Sequence, residues 1–137
     1  MCPFCSIDKE KTRLLKTGTY IFVVLSNPRL MEGHTLVIPK RHVEKISDLN
    51  KEEKKELFST MVEFQEKIIQ KISPGCDIRE NYRPFQKQDS LKIDHLHIHL
   101  QPRELEDELY QESQIHEKKV FKELTNVEAA KITQKFG

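Results

Sequence analysis

The run His95-Leu96-His97-Ile98-His99-Leu100 alternates imidazole and aliphatic side chains without a break. Successive side chains of an extended strand point to opposite faces, so His95, His97 and His99 share one face and Leu96, Ile98 and Leu100 the other. Like side chains then recur about every 6.6 Å, from a rise of roughly 3.3 Å per residue. The aliphatic face gains by burial. The imidazole face presents groups that donate, accept, ligate metal or attack an electrophile. Three stacked imidazoles serve no purpose in a core, so this strand is the first candidate for a site.

The remaining elements fall around it. Thr19 to Leu25 is dense in β-branched and aromatic residues and reads as a strand, broken by Ser26-Asn27-Pro28. His34 to Ile38 reads as a second strand, stopped by Pro39. Asn50 with Glu53 three residues on has the form of a capping box. Leu57, Met61, Phe64, Ile68 and Ile72 then make one apolar stripe of a long amphipathic helix, ended by Ser73-Pro74-Gly75. Cys76 to Arg83 is expected as a third strand and the segment reaching His99 as a fourth. The chain changes character after Pro102. Residues 104–124 are strongly charged, with sparse apolar points that suggest one or two helices, and Thr125 with Glu128 caps a short last one. The order β-β-α-β-β-α predicts an α+β domain on an antiparallel sheet over residues 1–103. A charged helical extension over 104–137 would pack on that domain or on a partner chain.

With 137 residues there is material for one core. Hydrophobic residues make up 36% and charged residues 33%, which predicts a small core under a heavily charged surface. A formal charge of +1 excludes general attraction to nucleic acid or anionic membrane, so an anionic ligand must be held locally. No apolar run approaches the roughly 20 residues of a membrane span. Met1-Cys2-Pro3-Phe4-Cys5 lacks the basic and apolar regions of a signal peptide, so a cytoplasmic protein is expected. In that compartment three cysteines argue against a disulfide framework.

On composition alone, metal binding and catalysis rank about level for the three histidines. The surrounding blocks change that balance. The motif continues into Gln101-Pro102-Arg103, and Glu32-Gly33-His34-Thr35-Leu36-Val37-Ile38-Pro39-Lys40-Arg41-His42-Val43 lies upstream. Together they resemble the histidine triad (HIT) family of nucleotide hydrolases and transferases over roughly residues 1–103. The resemblance implies a HIT-like antiparallel sheet and a covalent mechanism in which His97 attacks the α-phosphorus of a nucleotide and water cleaves the resulting nucleotidyl-histidine. Covalent catalysis divides one hard displacement into two easier ones. His99 would donate to the phosphate oxygens and His34 would complete the polar cluster. His99 is retained, so the chain departs from the transferase branch, which has glutamine there. Homodimers are the rule in the hydrolase branches, which implies one here.

Cys2-Pro3-Phe4-Cys5 is by itself ambiguous between zinc, a redox pair and chance. A closed zinc site needs four ligands, and Cys₂His₂ is a common set. Several HIT proteins carry such a CxxC, and by that resemblance His42 and His95 would complete a structural zinc site. The three histidines then divide: His95 toward zinc, His97 and His99 toward phosphate, with no catalytic metal required. Cys76 reads as a small buried hydrophobe.

The family often places an acidic or amide residue after the second strand to bind ribose. That place falls on Ser26, with Asn27 next, and either is also an ordinary turn former beside Pro28. Phe4, Phe22 and Leu25 are candidates to contact the base, with ordinary core the competing reading for Phe22 and Leu25, and purine nucleotides are the expected ligands. The segment before the motif departs from the family, which often has a Gly-Gln-Ser/Thr-rich loop there. Here stand Arg83 to Asp94, in which Gln88, Ser90 or Lys92 would have to assist the leaving group. The competing readings are a nucleotide-binding regulatory module with little turnover, and a metal enzyme that uses all three motif histidines as ligands.

Overall fold

The computed structural model describes residues 2–9, 13–89 and 91–137, the side chains of 7–9 excepted. The chain divides into two compact units, Met1–Leu105 and Glu106–Gly137.

The first unit is a five-stranded antiparallel sheet with a long helix. Its strands are β1 (Leu14–Thr17), β2 (Ile21–Leu25), β3 (Thr35–Pro39), β4 (Gly75–Glu80) and β5 (Ile98–Arg103), ordered β1-β2-β3-β5-β4. Helix α1 (Lys51–Lys71) joins β3 to β4. The α+β antiparallel architecture expected from the pattern is the one present. The strand β1 is an addition: Leu14-Leu15-Lys16-Thr17 carries no alternation and is mostly exposed at the sheet edge, so nothing but its pairing with β2 defines it.

The motif enters the ladder later than its alternation suggests. Pairing begins at Ile98, opposite Val37, and puts His99 opposite Leu36 and Leu100 opposite Thr35. His95 to His97 lead into the strand, and Leu96 is held there by its N–H donating to Val43 O at 2.7 Å. The facial division persists through this lead-in. Leu96, Ile98 and Leu100 join Leu57, Phe64 and Ile68 of α1 in the core cluster, each at most 7% exposed. Burial of side chains of this size contributes about 2 kcal/mol each. The other sheet face is covered by a smaller cluster of Phe4, Phe22, Val24, Leu36 and Ile38. The histidines lie on that side, His95 and His97 against Phe4.

The start of α1 follows the capping box: Asn50 Oδ1 accepts from Glu53 N–H, and Glu53 Oε1 accepts from Asn50 N–H, each at 2.9 Å. The carboxylate does more than cap. It also takes two hydrogen bonds from Arg41, at 2.8 and 3.1 Å, which explains how a glutamate comes to be 3% exposed. The Arg41 hydrogen bond, followed by the Asn50 amide, holds its pKa below the usual carboxylate value. Glu53→Ala is therefore expected to lower stability by about 2 kcal/mol. The urea midpoint should fall with the m-value unchanged. Because the folded pKa is depressed, this contribution is present above the ordinary carboxylate pKa and is lost as pH falls through the folded one. The expected stripe ends a residue early. Ile72 is the C-cap of α1 and 49% exposed, because its backbone has already left the helix.

In the second unit a π-helical turn (Tyr110–Gln114) runs into the short α2 (Ile115–Glu117), and α3 (Asn126–Phe136) follows. Thr125 caps α3, its Oγ1 accepting from Glu128 N–H at 3.2 Å.

Candidate functional site

Two polar clusters lie along the imidazole face, and backbone groups assign the tautomers in both. His95 Nε2–H donates to Pro39 O at 2.8 Å. That leaves Nδ1 with its lone pair, 3.3 Å from Cys2 Sγ and 3.6 Å from Cys5 Sγ. His42 Nδ1 is 3.4 Å from Cys5 Sγ. The ligand atoms of Cys2, Cys5, His42 and His95 all lie within 4.8 Å of one another. Zinc–ligand bonds of about 2.0–2.3 Å in a tetrahedron separate ligand atoms by about 3.3–3.8 Å. The donor set, the three Sγ–Nδ1 separations of 3.3–3.6 Å and the second-nitrogen hydrogen bond of His95 to a carbonyl fit such a metal centre.

The second cluster begins two residues on. His97 Nδ1–H donates to His95 O at 2.7 Å, so Nε2 keeps its lone pair. Leu30 N–H donates to His34 Nδ1 at 3.0 Å, and His34 Nε2–H donates to His99 Nδ1 at 2.9 Å. The chain of bonds leaves His99 with a proton on Nε2. One imidazole thus offers an electron pair and its neighbour a hydrogen-bond donor, with ring centroids 4.9 Å apart. His34 is placed by a tight turn: Gly33 has φ +85°, and a Cβ there would meet Ile72 methyl carbons at 3.0 and 3.1 Å.

Burial keeps these rings neutral. It lowers His34 to about 4, helped by His97, and His99 to about 3, helped by His97, His34 and Arg79. His97 is also lowered by burial, against the opposing pull of the His95 carbonyl. The sign for stability follows. The unfolded chain takes up these protons near pH 6.5, whereas the folded chain resists until about 4 and 3 for His34 and His99. Stability is thus undiminished above pH 6.5 and falls as pH drops through that window. The urea midpoint is expected to decline from pH 6.5 toward 4, and His34→Gln to flatten the decline; equal slopes in both proteins would contradict it.

His97 and His99 stand between two clefts, and Asp89, Leu91 and Ile93 of the preceding loop line both. The larger, about 900 Å³, is walled by Phe4, Leu30, Leu36, Leu91 and Ile93 and includes Ser26, Asn27 and His34. The smaller, about 510 Å³, is more polar, with Asn81, Arg83, Gln86, Lys87 and Lys92. Ser26, Asn27 and Phe4, read from the sequence as nucleotide contacts, therefore share a cleft with the histidines. The Ser26 hydroxyl donates to Pro28 O at 2.7 Å. Within the loop, Gln88 Oε1 accepts from Asp94 N–H, and Lys92 Nζ donates to Gln86 O and Asp94 Oδ1, so these groups brace the loop itself. Ser90 lies outside the described residues. The half-buried Cys76 thiol is pushed up to about 11 by burial and by Asp77.

The family model for the HIT domain matches residues 8–106. The chain belongs to the HIT domain family. Among its relatives, the bifunctional adenosine 5'-phosphosulfate phosphorylase/adenylylsulfatase HINT4 of Arabidopsis thaliana is 31% identical over 103 residues, covering 72% of this chain and 67% of the relative. The adenosine 5'-monophosphoramidase hnt1 of Schizosaccharomyces pombe is 28% identical over 111 residues, 77% of each chain. A zinc-bound histidine triad family protein from Mycobacterium smegmatis shares the fold, with a TM-score of 0.64 and 24% identity over 79% of this chain and 78% of its own.

Sequence reasoning had no access to Leu30 N–H and Pro39 O, two of the backbone groups that assign the HIT histidines their tautomers. Nor did it link Phe4 to His97. No residue type signals the backbone groups, since backbone atoms are common to all positions, and the Phe4–His97 contact joins residues 93 apart in the chain.

Proposed function

We propose that this HIT protein is a hydrolase acting on the α-phosphate of a nucleoside phosphoramidate or dinucleoside polyphosphate, through a nucleotidyl-His97 intermediate. The observation that carries the reading is the tautomer assignment: His97 holds a lone pair on Nε2 beside the Nε2–H of His99. In the first step His97 Nε2 attacks the α-phosphorus, the N–P bond forms, and the bond to the leaving group breaks with its electron pair, the leaving nitrogen of a phosphoramidate taking a proton from solvent. The ring becomes cationic, and the His95 carbonyl on Nδ1–H stabilises that charge. His99 Nε2–H donates to a non-bridging oxygen as charge builds there. His34 fixes the His99 tautomer. In the second step water attacks phosphorus, gives up a proton to solvent and the N–P bond breaks, returning neutral His97 and the nucleoside monophosphate. The larger cleft is assigned to a purine nucleoside, with Ser26 or Asn27 at the ribose and Phe4 at the base, and the smaller to the leaving group.

Cys2, Cys5, His42 and His95 would hold zinc, which supplies a cross-link between the N-terminal turn and the sheet rather than reaction chemistry. A cytoplasmic homodimer is part of the proposal, supported by the exposed apolar residues Phe58, Val62 and Ile69 of α1. No helix among the described residues is long and apolar enough to cross a membrane. The test is release of AMP from an adenosine phosphoramidate by purified protein. Multiple turnovers are expected; AMP binding without turnover would favour the regulatory module instead.

A further inference from the structure

The Cys2-Pro3-Phe4-Cys5 turn carries an aromatic ring between two sulfurs. Cys5 N–H donates to Cys2 O at 3.2 Å, closing the turn. Among the described residues, the hydrogen bonds that tie Cys2 to Cys5 onto the sheet all run through the two sulfurs, to His42 and His95. Phe4 is 9% exposed and packs with Phe22, Val24, Leu36 and Ile38. Its ring meets three parts of the site at once. It stands edge-on to His95, with centroids 5.9 Å apart and planes at 87°. It stands edge-on to His97 at 5.1 Å and 68°. It is also a wall of the larger cleft, as is Pro3.

These contacts make Phe4 common to the Cys/His cluster, to His97 and to the cleft. Burial alone holds the ring with about 2 kcal/mol or somewhat more, against the entropy of ordering each residue of the turn at about 1–2 kcal/mol. Fixing both flanking sulfurs on one ion removes that freedom on either side of the ring.

We infer that occupancy of the Cys2–Cys5–His42–His95 cluster sets nucleotide affinity, with Phe4 as the positioning residue that carries the effect to the cleft and to the His97 ring. The inference rests on the proposed nucleotide site and adds to it a form of regulation: metal supply tunes substrate binding. Linkage makes the effect reciprocal, so bound nucleotide tightens metal by the factor by which metal tightens nucleotide.

The test uses the full chain, zinc and AMP, at a temperature below the melting point of the metal-free protein. The AMP dissociation constant is measured by calorimetry with zinc bound and after chelation. The zinc dissociation constant is measured with and without saturating AMP. In the wild type, zinc removal is expected to weaken AMP at least about 5-fold, and AMP to tighten zinc by the same factor. Phe4→Leu and Phe4→Ala retain all four ligands and should bind zinc as the wild type does. Both lose the proposed contact of Phe4 with the base, so their AMP affinity should be lower than that of the wild type and should be the same with and without zinc. Phe4→Leu keeps most of the buried volume, so a folding failure of Phe4→Ala leaves the comparison intact. Equal AMP affinity in both metal states of the wild type would overturn the inference while leaving the nucleotide site standing. Coupling that survives in both variants would remove Phe4 from the path. Absence of AMP binding in every state would overturn the nucleotide site and the inference together.

Discussion

His97→Ala is expected to lower turnover of an adenosine phosphoramidate on the order of 10⁴-fold or more, the scale seen when a covalent nucleophile is deleted. The loss should fall on kcat, with AMP still bound, because the cleft walls and His99 remain. Folding should survive. His97 is half-buried, its Nδ1–H contacts only the carbonyl of His95, and water can take over that acceptor. His99→Ala provides the contrast. It removes a donor to developing charge, for which the cost is about 10²–10³. Steady-state kinetics on the two variants, with melting curves alongside, checks the ranking. A His97→Ala enzyme within about tenfold of wild type would contradict a nucleophilic role.

Zinc removal is the second large effect. A ligand that binds only the folded chain stabilises it by about 4 kcal/mol at a concentration 1,000 times its dissociation constant. For a domain of this size that corresponds to a melting temperature about 10 °C higher or more. Calorimetry with and without a chelator is expected to show this difference. Cys2→Ser should melt near the chelated wild type and respond little to zinc. The four ligands come from three separated places, the N-terminal turn, the segment after β3 and the start of the motif, so an ion held there would close long loops as well as fill a site. An unchanged melting temperature would mean that the cluster holds no metal under folding-relevant conditions.

How much of this was legible beforehand depends on what each residue could signal. Leu96, Ile98 and Leu100 alternate with the histidines, and period two specifies both an extended chain and the buried face. Asn50 and Glu53 announce the start of α1 because a capping box uses two side chains at fixed spacing. The strand β1 left no trace, since Leu14-Leu15-Lys16-Thr17 is an edge strand defined by its partner and not by its own pattern. Ile72 continued the stripe on paper, but a periodic pattern does not show where the backbone leaves the helix. Glu53 is the converse: a carboxylate read from the sequence as a helix cap is also buried, because Arg41, twelve residues before it, pairs with it. The same holds at the site. The sequence resemblance brought His34, His97 and His99 together, and Cys2, Cys5, His42 and His95. The bonds from Leu30 N–H and to Pro39 O that fix their tautomers belong to the fold.

The most direct test of the proposed chemistry is to trap the intermediate. The protein is mixed with an adenosine phosphoramidate, quenched at alkaline pH where nucleotidyl-histidine persists, digested and analysed by mass spectrometry. An adenylyl group on the peptide containing His97, absent from His97→Ala, is the expected result. Turnover without an adduct on any histidine, or an adduct on His99 instead, would contradict the assignment of His97 as nucleophile.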